Sequence, residues 1–329
     1  MINQNEINDL AFALTQHDDD LQLYANGESL DALPEFEQTE DAIMELLYLL
    51  YAKFEKENMQ MNDSLKKYIE ELKDRIAEIR ENAFHEEEED LIESNTKIAR
   101  NENKFISKFF AILAGTAVTL TPNAINKIIS FGIYNGGTVK QIFGKIQETD
   151  TNRIFDAMVR SLRTGKTLKE ARKEVQKELL KTKNFIRNEI ISIINGVTND
   201  VILSFANDNR TRLIYSTALD GKVCKDCNRY EGVVFNYNDT AIPNLPMHIN
   251  CRCKLIPIPD DGGDYSGLIL PFSSYFMMLT PTQQKKRLGN DKYELYELGE
   301  YELSEYETPL LNQRMTLADL KKRDRSLFT

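Results

Sequence analysis

Apolar positions along the chain follow helical spacing for most of its length. From Asp41 the pattern Ile43, Leu46, Leu47, Leu50 predicts a helix, and Leu65, Ile69, Leu72, Ile76, Ile79, Ala83 continue in steps of 4-3-4-3-4. That second run is a heptad seam, with Lys66, Lys67, Glu70, Glu71, Lys73, Asp74 and Arg75 on its outer positions. Two to three heptads fit either a hairpin within the chain or self-association through 65–83. Glu86 to Asp90 then reads as a solvated helix face or a break.

Phe105 to Leu120 is the most apolar stretch, but Lys108 interrupts it. The uninterrupted part falls short of the ~20 residues a bilayer span needs, so a buried core helix is expected and no stable membrane span. Thr121-Pro122 opens a new helix with proline in the first turn. Thr138 with Gln141, and Thr167 with Glu170, have capping-box spacing and predict two further helix starts within a helical bundle. After Arg210 the period shortens to strand-like pieces, Leu213-Ile214-Tyr215 and Val233-Val234-Phe235, among Pro243, Pro246, Pro257 and Pro259. Helix returns at Thr282 to Leu288 and after Thr316, which caps a last element.

The expected class is α+β: a mostly helical N-terminal two-thirds and a small zinc-stapled α+β module at the C-terminus. The expected divisions are an acidic flexible arm at 1–40 holding at most a short helix, a long coiled-coil-like segment at 41–104, a helical bundle at 105–209, and a Cys/His module with a helical tail at 210–329.

Charge refines this picture. The net charge of −11 over 329 residues taken alone argues against nucleic acid, but the first hundred residues hold 26 acids against 9 bases, and the first fifty hold no Lys or Arg. The body is mildly basic, and 101–210 holds 17 bases against 10 acids, so a phosphate-tracking face at 153–187 stands beside the simpler reading of a solvated helix surface. Asp18-Asp19-Asp20 reads as part of a solvated tail or as a lure for a basic partner. Met1 to Glu6 lacks the positive start and apolar run of a signal peptide, so reduced thiols are expected.

All four cysteines fall within thirty residues, as Cys224-Lys225-Asp226-Cys227 and His248-Ile249-Asn250-Cys251-Arg252-Cys253. Cys-x-x-Cys sets two thiolates on one turn, and a second pair from distant sequence completes the tetrahedron that Zn²⁺ takes. Cys224, Cys227, His248, Cys251 and Cys253 are five candidate donors for four places. A Cys₄ set leaves His248 out, and a Cys₃His set leaves out Cys251 or Cys253. Paired disulfides or buried free thiols are the alternatives. Mostly thiolate donors favour a closed structural site over a catalytic one.

These residues resemble a family. Tyr215 to Cys227, Tyr230 to Phe235 and Pro246 to Cys253 are similar to the signature of the Mu F-like phage head morphogenesis proteins. That signature has an Asp shortly before Cys-x-x-Cys, a Gly-x-x-Phe hairpin and a Pro-x-His-x-x-Cys-Arg-Cys ending. The likeness extends weakly over about 120–325, where Tyr275 or Phe276 stands in for a tail tryptophan this chain lacks. The resemblance implies a minor capsid protein of a tailed bacteriophage, not an enzyme. It would bind the portal or major capsid protein, act in head assembly and in DNA packaging or ejection, touch packaged DNA non-specifically, and reside in the virion after assembly in the host cytoplasm. It gives the Cys/His set the task of holding the C-terminal module together, Asp220 and Gly221 the turn feeding the first pair, and Gly232 a hairpin turn. Two other readings are a zinc-dependent DNA-binding protein and an ADP-ribosyltransferase-type toxin, the latter from Arg212, Ser216-Thr217 and Glu300-x-Glu302.

Overall fold

The computed structural model describes residues 3–131, 137–217, 223–303 and 315–328. It is mostly helical with one small antiparallel sheet, as the sequence pattern requires. The chain forms two compact units, each assembled from separated stretches. Helices α1 (Gln4–Asp31), α4 (Asp63–Ala114) and α7 (Leu168–Asn209) contribute residues to both.

One unit comprises Glu28–Asn95 and Phe131–Ile191. Besides parts of those three helices it holds α2 (Leu33–Gln38), α3 (Glu40–Lys56) and α6 (Val139–Arg163). The heptad seam closes inside the chain: Leu65, Ile69, Leu72 and Ile76 are buried in one cluster with Ile43, Leu47 and Leu50 of α3, Ile154 and Met158 of α6, and Val175 of α7. The apolar stripe that self-association through 65–83 would need is thus already occupied. Each such side chain contributes about 1.5–3 kcal/mol through burial. Above the cluster Arg80, 1% exposed, pairs with fully buried Asp150 at 2.7 Å. It also donates to the Phe36 carbonyl at 3.2 Å and the Thr39 hydroxyl at 2.7 Å. Both capping boxes form: Gln141 N–H donates to Thr138 Oγ1 at 3.2 Å, and Thr167 N–H donates to Glu170 Oε2 at 2.8 Å.

The other unit comprises Met1–Gly27, Thr96–Ser130 and Ser192–Thr329. Its sheet has the order β2-β1-β3, with β1 (Arg212–Ser216) antiparallel to β2 (Val234–Asn236) and to β3 (Lys254–Ile258). Leu213 lies opposite Phe235 and Pro257. The other elements are α5 (Pro122–Phe131) and the short helices α8 (Lys225–Asn228), α9 (Phe272–Met278), α10 (Pro281–Leu288), α11 (Asn290–Glu297) and α12 (Leu317–Ser326). The run after Phe105 is a core helix end, with Phe105, Ile106, Phe109 and Leu113 buried. Helix α7 contains a stretch long and apolar enough to cross a membrane, and 83% of that window is buried in the fold.

The N-terminal segment departs from expectation. In place of a flexible arm with at most a short helix, residues 4–31 form one helix whose Leu10, Ala11, Leu14, Leu21 and Tyr24 are buried. Its three consecutive aspartates each meet a base from far along the chain: Asp18 meets Lys254, Asp19 meets Arg287 and Asp20 meets Arg323. One turn of helix thus carries three ion pairs, which offset part of the repulsion that makes acid runs solvate. The preceding His17, 2% exposed, bridges Asp324 at 2.7 Å through Nδ1 and Glu102 at 2.8 Å through Nε2. It stacks on Phe105 with centroids 3.6 Å apart. Nor does Glu86 to Asp90 break the chain, since α4 runs through it without interruption.

Candidate metal centre

The first donor pair lies between β1 and β2. Cys224 caps α8, its Sγ accepting from Cys227 N–H at 3.3 Å, which fixes both sulfurs on one side of a single turn. Behind them Gly232 adopts φ +75°, a left-handed conformation that suits glycine, and its N–H donates to the Tyr215 carbonyl at 2.9 Å. Gly232 therefore sits in the turn that leads into β2. Asp220 and Gly221 lie outside the described residues.

The second set arrives just before β3. Cys251 N–H donates to the His248 carbonyl at 3.0 Å, and Asn250 sits at φ +59°, a left-handed position that asparagine tolerates. The backbone here is held by a polar row on α7. Asn250 N–H donates to Ser192 Oγ at 2.9 Å, Asn195 Nδ2 to the Cys251 carbonyl at 3.0 Å, and Asn199 Nδ2 to the Cys253 carbonyl at 3.1 Å. Sequence reasoning missed Ser192, Asn195 and Asn199. The available signal was their i, i+3, i+7 spacing, which draws one polar stripe down an isoleucine-rich helix.

All five candidate donors converge. They form two triads that share Cys227, namely Cys224, Cys227, His248 and Cys227, Cys251, Cys253. His248 Nε2 lies 3.3 Å from Cys224 Sγ and 3.2 Å from Cys227 Sγ, and Cys227 Sγ lies 3.8 Å from Cys251 Sγ. A tetrahedron with Zn–S bonds of about 2.3 Å has S···S edges of about 3.8 Å and S···N edges of about 3.6 Å, so the sulfur edge matches and the two nitrogen edges are a few tenths shorter. His248 Nδ1 meets the Ile249 carbonyl at 2.9 Å. That partner calls for a proton on Nδ1, which leaves the Nε2 lone pair facing the thiols, the arrangement of metal-bound imidazoles.

The thiols are electrostatically unequal. A hydrogen bond from Cys253 outweighs burial and holds Cys251 down to about 5. The same bond, with burial, pushes Cys253 far up. Burial also raises Cys227, to about 12. Without an ion the set therefore behaves as a thiolate with thiol donors around it, and a divalent cation would replace those protons. The four cysteines and His248 can hold a metal.

The residues behind the transferase reading are differently engaged. Arg212 Nε pairs with Asp260 at 3.2 Å and its Nη2 donates to the Pro259 carbonyl at 3.2 Å, while Ser216 Oγ donates to the Thr217 carbonyl at 3.3 Å.

Among curated proteins the chain is similar to Hexokinase-2 of Saccharomyces cerevisiae, 27% identical over 132 residues. The alignment covers 39% of this chain and 24% of that protein, so the chain spans about a quarter of the relative's length. No solved structure matches. Residues 152–256 match the family described as Phage Mu protein F like protein, a stretch that includes the Cys/His centre, the whole sheet except its last two residues, and the polar stripe of α7. Over that segment, about a third of the chain, the protein is similar to the Mu F-like phage head morphogenesis family.

Proposed function

We propose that the protein is a minor head protein of a tailed bacteriophage, assembled in the host cytoplasm and retained in the virion. It acts by docking on the portal or major capsid protein during head morphogenesis. The single observation that carries this reading is the family match over residues 152–256, whose C-terminal part contains the Cys/His set. Co-expression with the portal protein of the same phage is the test. Co-purification and entry into procapsids are expected, whereas procapsids that form normally and exclude the chain would refute the docking role.

Within that role the Cys/His set is a structural zinc centre. Cys224, Cys227, His248 and Cys251 are the ligands, and Cys253 is an outer thiol bonded to Cys251. Bound Zn²⁺ would supply cross-linking of α8 to the segment before β3. The fixed face of His248 and the 3.8 Å edge between Cys227 and Cys251 support this choice of donors. Four protein donors fill a tetrahedral site, which suits a staple and leaves no position for substrate. Asp220 and Gly221 would form the turn that delivers Cys224. Protein purified without added metal should contain one equivalent of zinc, and Cys227→Ser should lose it while Cys253→Ser keeps it. Equal loss in both variants would reassign the ligands, and zinc-free wild-type protein would remove the centre without touching the family assignment.

A further inference from the structure

In the unit that carries the Cys/His centre, a groove of about 890 Å³ opens where the first turn of α1, the end of α4 and the loop after β3 come together. Its floor is apolar, with Ile7, Leu113 and Tyr265 all buried. Ile112, in the last turn of α4, lines the same groove and is 47% exposed. Scattered exposed aliphatic residues are ordinary, but one that extends a concave apolar surface adds area that a partner can cover.

The rim has one sign of charge. Glu6, Asp261 and Asp264 line the groove, and no Lys, Arg or His does. Two of these acids are held in place by the loop itself. Asp261 accepts from Gly263 N–H and from Tyr265 Oη, each at 2.8 Å, and Asp264 accepts from Ser266 N–H at 2.9 Å. Those bonds hold both carboxyls below the usual aspartate range, so both are charged at neutral pH. Gly263 keeps the loop tight, because a Cβ there would come 2.9 Å from the Tyr265 ring. Arg212, whose charge reaches Asp261, is paired with Asp260. The end of α4 adds to the same field: its last turn has no base, and it closes on Gly115 at φ +69° beside the groove.

This arrangement discriminates among occupants. Among the described residues, the side chains close enough together to share a metal ion are those of the Cys/His centre, and the groove's acids are too far apart to form such a group. A phosphate backbone would meet three carboxylates and the negative end of a helix. An apolar floor inside a rim of spaced acids instead complements a segment that presents an aliphatic side chain between bases, the pattern of a cationic amphipathic helix laid in a groove.

We infer that the groove between α1, the end of α4 and the loop after β3 is a docking site for a basic amphipathic segment of a partner protein. Its aliphatic side chain packs on Ile112, Leu113 and Ile7, and its bases meet Glu6, Asp261 and Asp264. The site stands apart from the Cys/His centre and does not depend on bound metal.

Fluorescence anisotropy of the full chain tests this with a labelled peptide of about twelve residues, Lys and Leu at helical spacing, against a Glu and Leu peptide of the same pattern. The basic peptide should bind, the acidic one should not, and binding should weaken between about 50 and 500 mM salt. Ile112→Lys should weaken it about tenfold, the equivalent of one aliphatic side chain left uncovered. Glu6→Gln with Asp264→Asn, which keeps the hydrogen-bond acceptors, should weaken it as well. Glu86→Gln with Glu89→Gln removes two exposed acids elsewhere and should leave it unchanged. Hydrogen exchange should slow at 112–115 and 261–265 when the peptide is bound, and circular dichroism checks that each variant folds. No binding by wild type overturns the inference, as does binding that Ile112→Lys leaves intact or that the Glu86 and Glu89 pair weakens equally. Binding of spermine but not of the peptide also overturns it and assigns the groove to a small polycation. Self-association that Ile112→Lys abolishes, with no peptide bound, overturns it in favour of a second copy.

Discussion

Replacing His17 by Gln offers the sharpest quantitative check on the structure. The imidazole is buried between Glu102 and Asp324, and Asp324 also accepts from Asn101 Nδ2 at 2.7 Å. Burial alone would lower its proton affinity, but the Glu102 charge and the bonds to both carboxylates prevail and raise it from 6.5 to about 9. A histidine whose folded value exceeds its unfolded value stabilises fully below the unfolded value, here about 6.5, and loses that contribution as pH rises through about 9. A shift of this size corresponds to roughly 3 kcal/mol at 1.36 kcal/mol per pH unit, and a fully buried group needs no discount for solvent screening. Two measurements apply. NMR titration of the imidazole resonances is tractable because the chain has only three histidines, His17, His85 and His248. Urea unfolding of wild type and His17→Gln between pH 6.5 and 10 isolates the contribution, since lysines, tyrosines and thiols titrate alike in both. The difference should be largest at pH 6.5 and shrink by about 3 kcal/mol toward pH 10. A His17 titration midpoint at or below 6.5, or a pH-independent difference, would refute the assignment of this residue as a buried imidazolium.

Other outcomes follow from the same reasoning. Arg80→Met should cost about 3–5 kcal/mol by leaving the Asp150 carboxylate buried without its partner, and adding Asp150→Leu should recover most of that in thermal denaturation. Leu72→Ala, at a fully buried position of the seam, should cost about 2–5 kcal/mol, with no change in oligomeric state because the seam closes within the chain. Thr138→Ala should cost about 1 kcal/mol through loss of the α6 cap, measured by urea midpoint.

The sequence carried some of these features and hid others for physical reasons. Heptad spacing at 65–83 and the caps at Thr138, Thr167 and Thr316 are local, so the residues that cause each feature lie within a few turns of one another. The Cys/His motif was equally visible through its spacing. The orientation of the His248 ring was not, because it depends on Nδ1 meeting the Ile249 carbonyl, a detail of one turn. At Glu86 to Asp90 the sequence left a solvated helix face and a break both open, and α4 runs through because packing elsewhere on the helix overcomes the local repulsion.

The acidic N-terminus shows most clearly where a local reading stops. Asp18, Asp19 and Asp20 pair with Lys254, Arg287 and Arg323, partners more than 230 residues away whose positions no local pattern reveals. Within one unit, helix α1 therefore joins the strand after the Cys/His segment to the last two basic helices. A deletion of residues 1–40 is consequently not a clean probe of an accessory arm. It would remove buried Leu10, Leu14 and Tyr24, leave Lys254, Arg287 and Arg323 without their carboxylates, and strand Glu102 and Asp324 without His17. Lost docking in such a truncation would report collapse of the unit that carries the Cys/His centre. Single charge-neutral changes at Asp18, which is the most exposed of the three, separate the acidic surface from the scaffold.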